Sequence, residues 1–171
     1  MNDALLYYGQ PSYIKCWSDV YLHNDTREMV VTGGKCNGVS SCDFSGYTEL
    51  ERIVIGDNCF NNAFYLRIDG LTKLKNLTIG INSFVRHGYG GDMSFSLSNC
   101  PLLKEVRFGS GSFRNYILSY VENLPSLELL HYGDESFLNT ESASFQSECM
   151  NEEVMTRFDE IRNNFIWFKI I

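Results

Sequence analysis

One short pattern recurs along this chain and limits what it can fold into. Leu50–Phe60 reads LERIVIGDNCF, Leu74–Phe84 LKNLTIGINSF, Leu103–Phe113 LKEVRFGSGSF and Leu127–Phe137 LELLHYGDESF. The shared frame is L-x-x-φ-x-φ-G-x-x-[SC]-F, with φ apolar. Leu5–Tyr13, LLYYGQPSY, lines up with Leu129–Phe137, and a weaker copy ends at Gly33. The frame glycines are then Gly9, Gly33, Gly56, Gly80, Gly109 and Gly133, in steps of 24, 23, 24, 29 and 24. A fixed period in this range is the mark of a solenoid.

Within each copy the residues three and one before the glycine are apolar or nearly so. They are Leu6, Val30, Ile53, Leu77, Val106 and Leu130, then Tyr8, Thr32, Ile55, Ile79, Phe108 and Tyr132. Alternation with period two predicts a short strand with one buried face. The glycine is expected to end the strand in a conformation that disfavours a side chain. Four residues later Tyr13, Phe60, Phe84, Phe113 and Phe137 are expected to stack as an aromatic column, with Asn37 breaking it in the second copy. A second apolar segment follows, in which Phe44, Ile68, Leu97 and Val121 keep the repeat spacing. Each coil should therefore carry two strands. Pro101 and Pro125 share a bend position before the frame leucine. There a missing N–H costs no ladder bond.

The expected fold is mainly β: a β-solenoid of leucine-rich-repeat type, with two short strands per coil and a C-terminal amphipathic helix. Residues 1–145 make about six coils, with an insertion at 85–92, and residues 146–171 form the helix and an apolar tail. In the helix, predicted over Asn151–Phe165, Val154, Phe158, Ile161 and Phe165 share one face. Asn151 is its expected N-cap, and Glu152 and Glu153 suit its positive end.

Net charge is −7 with a pI near 4.9. That argues against binding through phosphates, which needs a basic patch, so no nucleic-acid partner is expected. There is no run of 18 or more apolar residues, so no membrane span is expected. The N-terminus lacks a basic segment followed by an apolar one, and hence a signal peptide. The residues leave the location unknown; a cytoplasmic one is the favoured expectation, with the cell surface as the alternative if the N-terminus is truncated. Asn24-Asp-Thr26 and Asn76-Leu-Thr78 are glycosylation sequons, expected to stay unmodified without secretion. The cysteines show no CxxC pair and no zinc spacing, and no metal or cofactor is expected. Cys36 and Cys59, three residues after their glycines, read as small buried residues in the slot of Ser12, Ser83, Ser112 and Ser136. A Cys36–Cys59 bridge between adjacent coils is the other reading, since stacked strands lie about 4.8 Å apart. Cys100 falls in the core slot of Leu71 and Leu124.

The frame, with its G-x-x-[SA]-F element and step of 23 to 24, resembles the BspA-type leucine-rich repeats of bacterial and protist proteins. The likeness runs from Ala4 to Phe137 and is weakest over residues 14–43. The resemblance implies non-enzymatic recognition of proteins or of host and matrix surfaces.

No catalytic constellation emerges from the residues. His23, His87 and His131 fall in unrelated repeat positions. Asp57 and Asp134 share a position but stand three coils apart, which weakens a carbohydrate-active β-helix, the third reading. The outward rows of the first strand are the candidate binding face. They are Tyr7, Val31, Val54, Thr78, Arg107 and His131, and beside them Leu5, Met29, Arg52, Asn76, Glu105 and Leu129. Tyr7, Arg52, Asn76, Glu105, Arg107 and His131 are the expected contacts for a protein or peptide ligand, because aromatic and Arg side chains dominate hot spots. Self-association through an uncapped first coil is the alternative function.

Overall fold

A computed structural model describes residues 12–13, 22, 24–86, 93–146 and 152–163. In chain order the strands are β1 (Ser12–Tyr13), β2 (Glu28–Val31), β3 (Ser41–Asp43), β4 (Arg52–Ile55), β5 (Tyr65–Asp69), β6 (Asn76–Ile79), β7 (Ser94–Ser98), β8 (Glu105–Phe108), β9 (Leu118–Glu122), β10 (Leu129–Tyr132) and β11 (Ser142–Gln146). Helix α1 (Glu152–Asn163) follows. The strands form two parallel sheets, ordered β1-β2-β4-β6-β8-β10 and β3-β5-β7-β9-β11. The chain is thus a β-solenoid of about five turns, two strands to a coil, closed by one C-terminal helix. The expected first coil at Leu5–Gly9 and the insertion tip at 87–92 lie outside the described residues.

Like residues meet across the coils because the register never slips from β2 upward. Met29, Ile53, Leu77, Val106 and Leu130 face inward in one row. Val31, Ile55, Ile79, Phe108 and Tyr132 form the next. Leu50, Leu74, Leu103 and Leu127 are buried where the chain turns into the first sheet, and Ile68, Leu97, Val121 and Phe145 line the second. Cys100 is fully buried in the slot of Leu71 and Leu124. The expected aromatic column is present. Phe60, Phe84, Phe113 and Phe137 stack at 5.0, 5.1 and 5.2 Å with nearly parallel rings. Each such pair adds on the order of 1 kcal/mol beyond burial.

The lowest copy is out of step with the sequence alignment by one residue. Met29 pairs with Ile53 and Val31 with Ile55, so Thr32, not Gly33, matches Gly56. Cys36 therefore takes the column position rather than the small slot, and shares the left-handed φ of the column, 61°. Asn37 matches Asn61, and its Oδ1 accepts the Asn61 N–H at 2.8 Å. Tyr13 and Ser12, expected in the column and the small slot, lie instead in β1 beside Val30 and Met29.

The frame glycines are also required for a different reason than conformation. None of Gly56, Gly80, Gly109 and Gly133 has positive φ. A Cβ on Gly80 would come within 2.4 Å of the Gly56 carbonyl carbon, and one on Gly133 within 2.4 Å of the Ser110 nitrogen. The glycine marks the place where one coil's backbone lies against the next. Left-handed backbone occurs two and four residues later, at Asn58 and Phe60 and at Asn82 and Phe84. Bulky residues rarely adopt it. Stacking and complete burial of the rings offset that cost. Between them sits the small slot, where Ser83 Oγ donates to Gly56 O at 2.8 Å and Ser136 Oγ to Gly109 O at 2.9 Å.

Helix α1 covers the top coil. Val154, Phe158 and Ile161 are buried, and Phe158 packs on Phe145 at 5.3 Å. Tyr132 Oη donates to Glu160 at 2.8 Å. Burial, then this bond, pushes the Tyr132 hydroxyl up to about 12. Asn151 and Phe165 lie outside the described residues.

One core position works against the fold. Ser119 is fully buried in the inward row of Leu66 and Phe95, and its hydroxyl has no partner. Ser119→Ala should stabilise the protein by about 1 kcal/mol, since the orphaned hydroxyl is removed at little cost in volume. Urea denaturation checks this; a lower midpoint would mean the hydroxyl is satisfied in solution.

Candidate functional site

The register that builds the core also builds two outer faces. On the first sheet Glu28, Arg52, Asn76, Glu105 and Leu129 form one outward row, and Val30, Val54, Thr78, Arg107 and His131 form its neighbour. The structure thus brings Arg52, Asn76, Glu105, Arg107 and His131 onto one surface. Met29 and Val31, expected outward, are buried because β2 is shifted by one residue, and Glu28 and Val30 stand in their places. Tyr7 and Leu5 lie outside the described residues.

The face carries its own charge pairing. Arg52 bonds to Glu28 across the coil step, Arg107 Nε donates to Glu105, and Asn76 Nδ2 donates to Glu105 at 3.3 Å. Pairs this exposed are worth little to stability. Their effect is to hold the guanidinium groups in place over the sheet. His131 is exposed at the upper end.

The second sheet offers a face the sequence reading passed over. Tyr65, Ser94 and Leu118 share a row, as do Arg67, Ser96 and Tyr120, and then Asp69, Ser98 and Glu122. Arg67 sits between Asp69 at 2.7 Å and Asp43 at 3.8 Å. Asp69 accepts bonds from Asn99 Nδ2 at 2.8 Å and Ser98 Oγ at 2.9 Å. These two bonds, ahead of Arg67, hold its carboxyl below the usual range. The signal was the period-two alternation of Tyr65–Asp69 and Leu118–Glu122, which marks outward as well as inward residues.

Between the sheets, on the bend, opposite charges on neighbouring coils pair. Lys73 bonds to Glu49, Lys75 to Glu51 and Lys104 to Glu128 at 2.6 to 3.0 Å. Asp57, weighed as an acid, instead accepts the Ile81 N–H through Oδ1 at 2.7 Å.

Cysteine chemistry differs from expectation at one residue. Cys42, Cys59 and Cys100 are free and buried. Burial pushes the Cys42 thiol up to about 12 and the Cys100 thiol to about 11, which makes both poor nucleophiles. Cys36 is disulfide-bonded, and since Cys59 is free the Cys36–Cys59 bridge is not made. Among the described residues no three His, Cys, Asp or Glu side chains cluster as a metal site would need. No described helix is long and apolar enough to cross a membrane.

Neither a family model, nor a curated protein, nor a solved structure matches this chain.

Proposed function

We propose that the protein is a non-enzymatic binding module that recognises a protein or peptide through the outer face of its first sheet. The observation that carries this reading is the alignment of Arg52, Asn76, Glu105, Arg107 and His131 on one surface, over a backbone held by five parallel strand pairings. Such a face presents fixed donors and acceptors at strand spacing, which suits a partner with complementary spacing. The net charge of −7 favours a polypeptide ligand over nucleic acid. The resemblance of the sequence frame to BspA-type repeats supports the same reading.

The test is a displayed peptide library panned against the wild-type chain. Binders should lose at least about tenfold in affinity for the Arg52→Ala, Arg107→Ala double variant, a difference of roughly 1.4 kcal/mol. The thermal midpoint should stay within a degree or two, because both side chains are exposed. Binders indifferent to the double variant would remove this face as the site.

End-to-end assembly is the second reading. Among the described residues the second sheet ends at β3. Open edges invite pairing with another chain. Sedimentation velocity over a range of concentrations separates the two: growing polymers favour assembly, a steady monomer favours the module.

A further inference from the structure

Two sequons lie in the chain, and the structure treats them differently. Asn24 sits in an exposed turn four residues before Glu28. Thr48, Thr72, Pro101 and Pro125 hold the same place before the matching strands, and all are exposed. This bend lies outside the strands of both sheets. Asn76, in contrast, lies within β6 at the centre of the first sheet, and its Nδ2 is bonded to Glu105. A sugar there would have to stand on the sheet itself.

Thr26 supplies the second observation. It stands two residues before Glu28, where the other coils have Leu50, Leu74, Leu103 and Leu127, all buried. Thr26 is itself 6% exposed, and its hydroxyl has no partner. Packing alone favours leucine here, and an orphaned buried hydroxyl opposes folding. The position nevertheless carries a hydroxyl two residues after an exposed asparagine, which is the requirement of an N-glycosylation acceptor. The disulfide at Cys36 adds a third, since such bonds form in the oxidising compartments through which glycosylated chains pass.

We propose that Asn24 is a site of N-linked glycosylation and that Asn76 is not. The co-reactant is a lipid-linked oligosaccharide, delivered by a transferase while the lowest coil is still open and Thr26 accessible, but with β6 already paired to β4 and β8. The Asn24 amide nitrogen attacks C1 of the sugar. A C1–N bond forms as the C1–O bond to the lipid pyrophosphate breaks. The pyrophosphate leaves with the electron pair, and the amide proton passes to a base of the transferase. No atom changes oxidation state. The sugar then projects from the bend and leaves the first-sheet face open, so the proposal stands independently of what that face binds.

The test is expression of the full chain behind a secretion leader in a eukaryotic host, followed by endoglycosidase treatment and mass measurement. Wild type, Asn76→Gln and Thr26→Ser should each carry one removable glycan. Asn24→Gln and Thr26→Val should carry none. Because Asn24 is exposed, N24Q should still be secreted with an unchanged circular dichroism spectrum. After deglycosylation, T26V should melt above wild type. A chain without a removable glycan, or a glycan lost in N76Q and kept in N24Q, overturns the proposal. A lower melting point for T26V would show that the fold itself needs the hydroxyl, and would also overturn it.

Discussion

Phe113→Ala should cost about 4 kcal/mol of folding stability, the largest loss expected from any single side chain in the column. Phe113 is fully buried and meets five other rings. Phe84 and Phe137 stack on its faces, Phe95 lies at 4.5 Å, and Phe108 and Tyr116 present edges at 5.6 and 5.1 Å. Its φ is 55°, a conformation that disfavours alanine as it does phenylalanine. The substitution therefore removes packing while keeping the backbone cost, and the loss reports the ring alone. Tyr116, whose hydroxyl donates to Ala63 O at 2.9 Å, blocks easy collapse into the vacated space. Phe60→Ala should cost less, because Phe60 has a stacked ring on one side and Cys36 in the column place on the other. Urea denaturation measures both. A loss below about 1 kcal/mol for F113A would mean that the column does not hold the coils together.

Gly109→Ala should cost about 3 kcal/mol or prevent folding, although φ at Gly109 is not positive. The added Cβ would lie 2.5 Å from the Gly80 carbonyl carbon and 2.5 Å from the Ile81 nitrogen, and both belong to backbone that strand pairings hold on either side. The control is Gly70, with φ +70° and open space around its Cα. Gly70→Ala should cost about 1 kcal/mol, the left-handed penalty alone. Gly70→Asn should cost almost nothing, since Asn99 and Asn123 fill that place in the next coils with φ 54° and 52°. Equal losses for G109A and G70A would show that conformation, not coil-to-coil contact, selects the frame glycine.

The solenoid was legible because a coil of fixed length must place chemically matching side chains over one another. From Leu50 upward the inward rows, the aromatic column and the second strand all follow from that constraint. Reading failed where the local letters competed with the period. Gly33-Gly34 supplies two glycines, and spacing along the sequence points to the first as the frame residue. The backbone uses Gly34 for the left-handed position that Asn58 and Asn82 occupy above, with φ 73° against 56° and 50°. The frame slot is filled by Thr32, and from that shift follow the errors at Cys36, Met29 and Val31. Left-handed backbone at the column phenylalanines was not legible either, because bulky residues are not its usual signal. On the candidate face, the outward positions of Arg52, Asn76, Glu105, Arg107 and His131 were readable from alternation. Their local pairing was not: Glu28 meets Arg52 only through the corrected register of β2, and Arg107 turns toward Glu105 on its own strand.

The chain between Phe84 and Leu97 is longer than its counterparts, yet β7 keeps its register with β5 below and β9 above. Ser94 pairs with Tyr65 and with Leu118 as though nothing had been added. Coil length and loop length are therefore independent variables in this architecture. A segment grafted after Arg86 should leave the rungs on either side undisturbed, so the loop can lengthen while the scaffold stays unchanged.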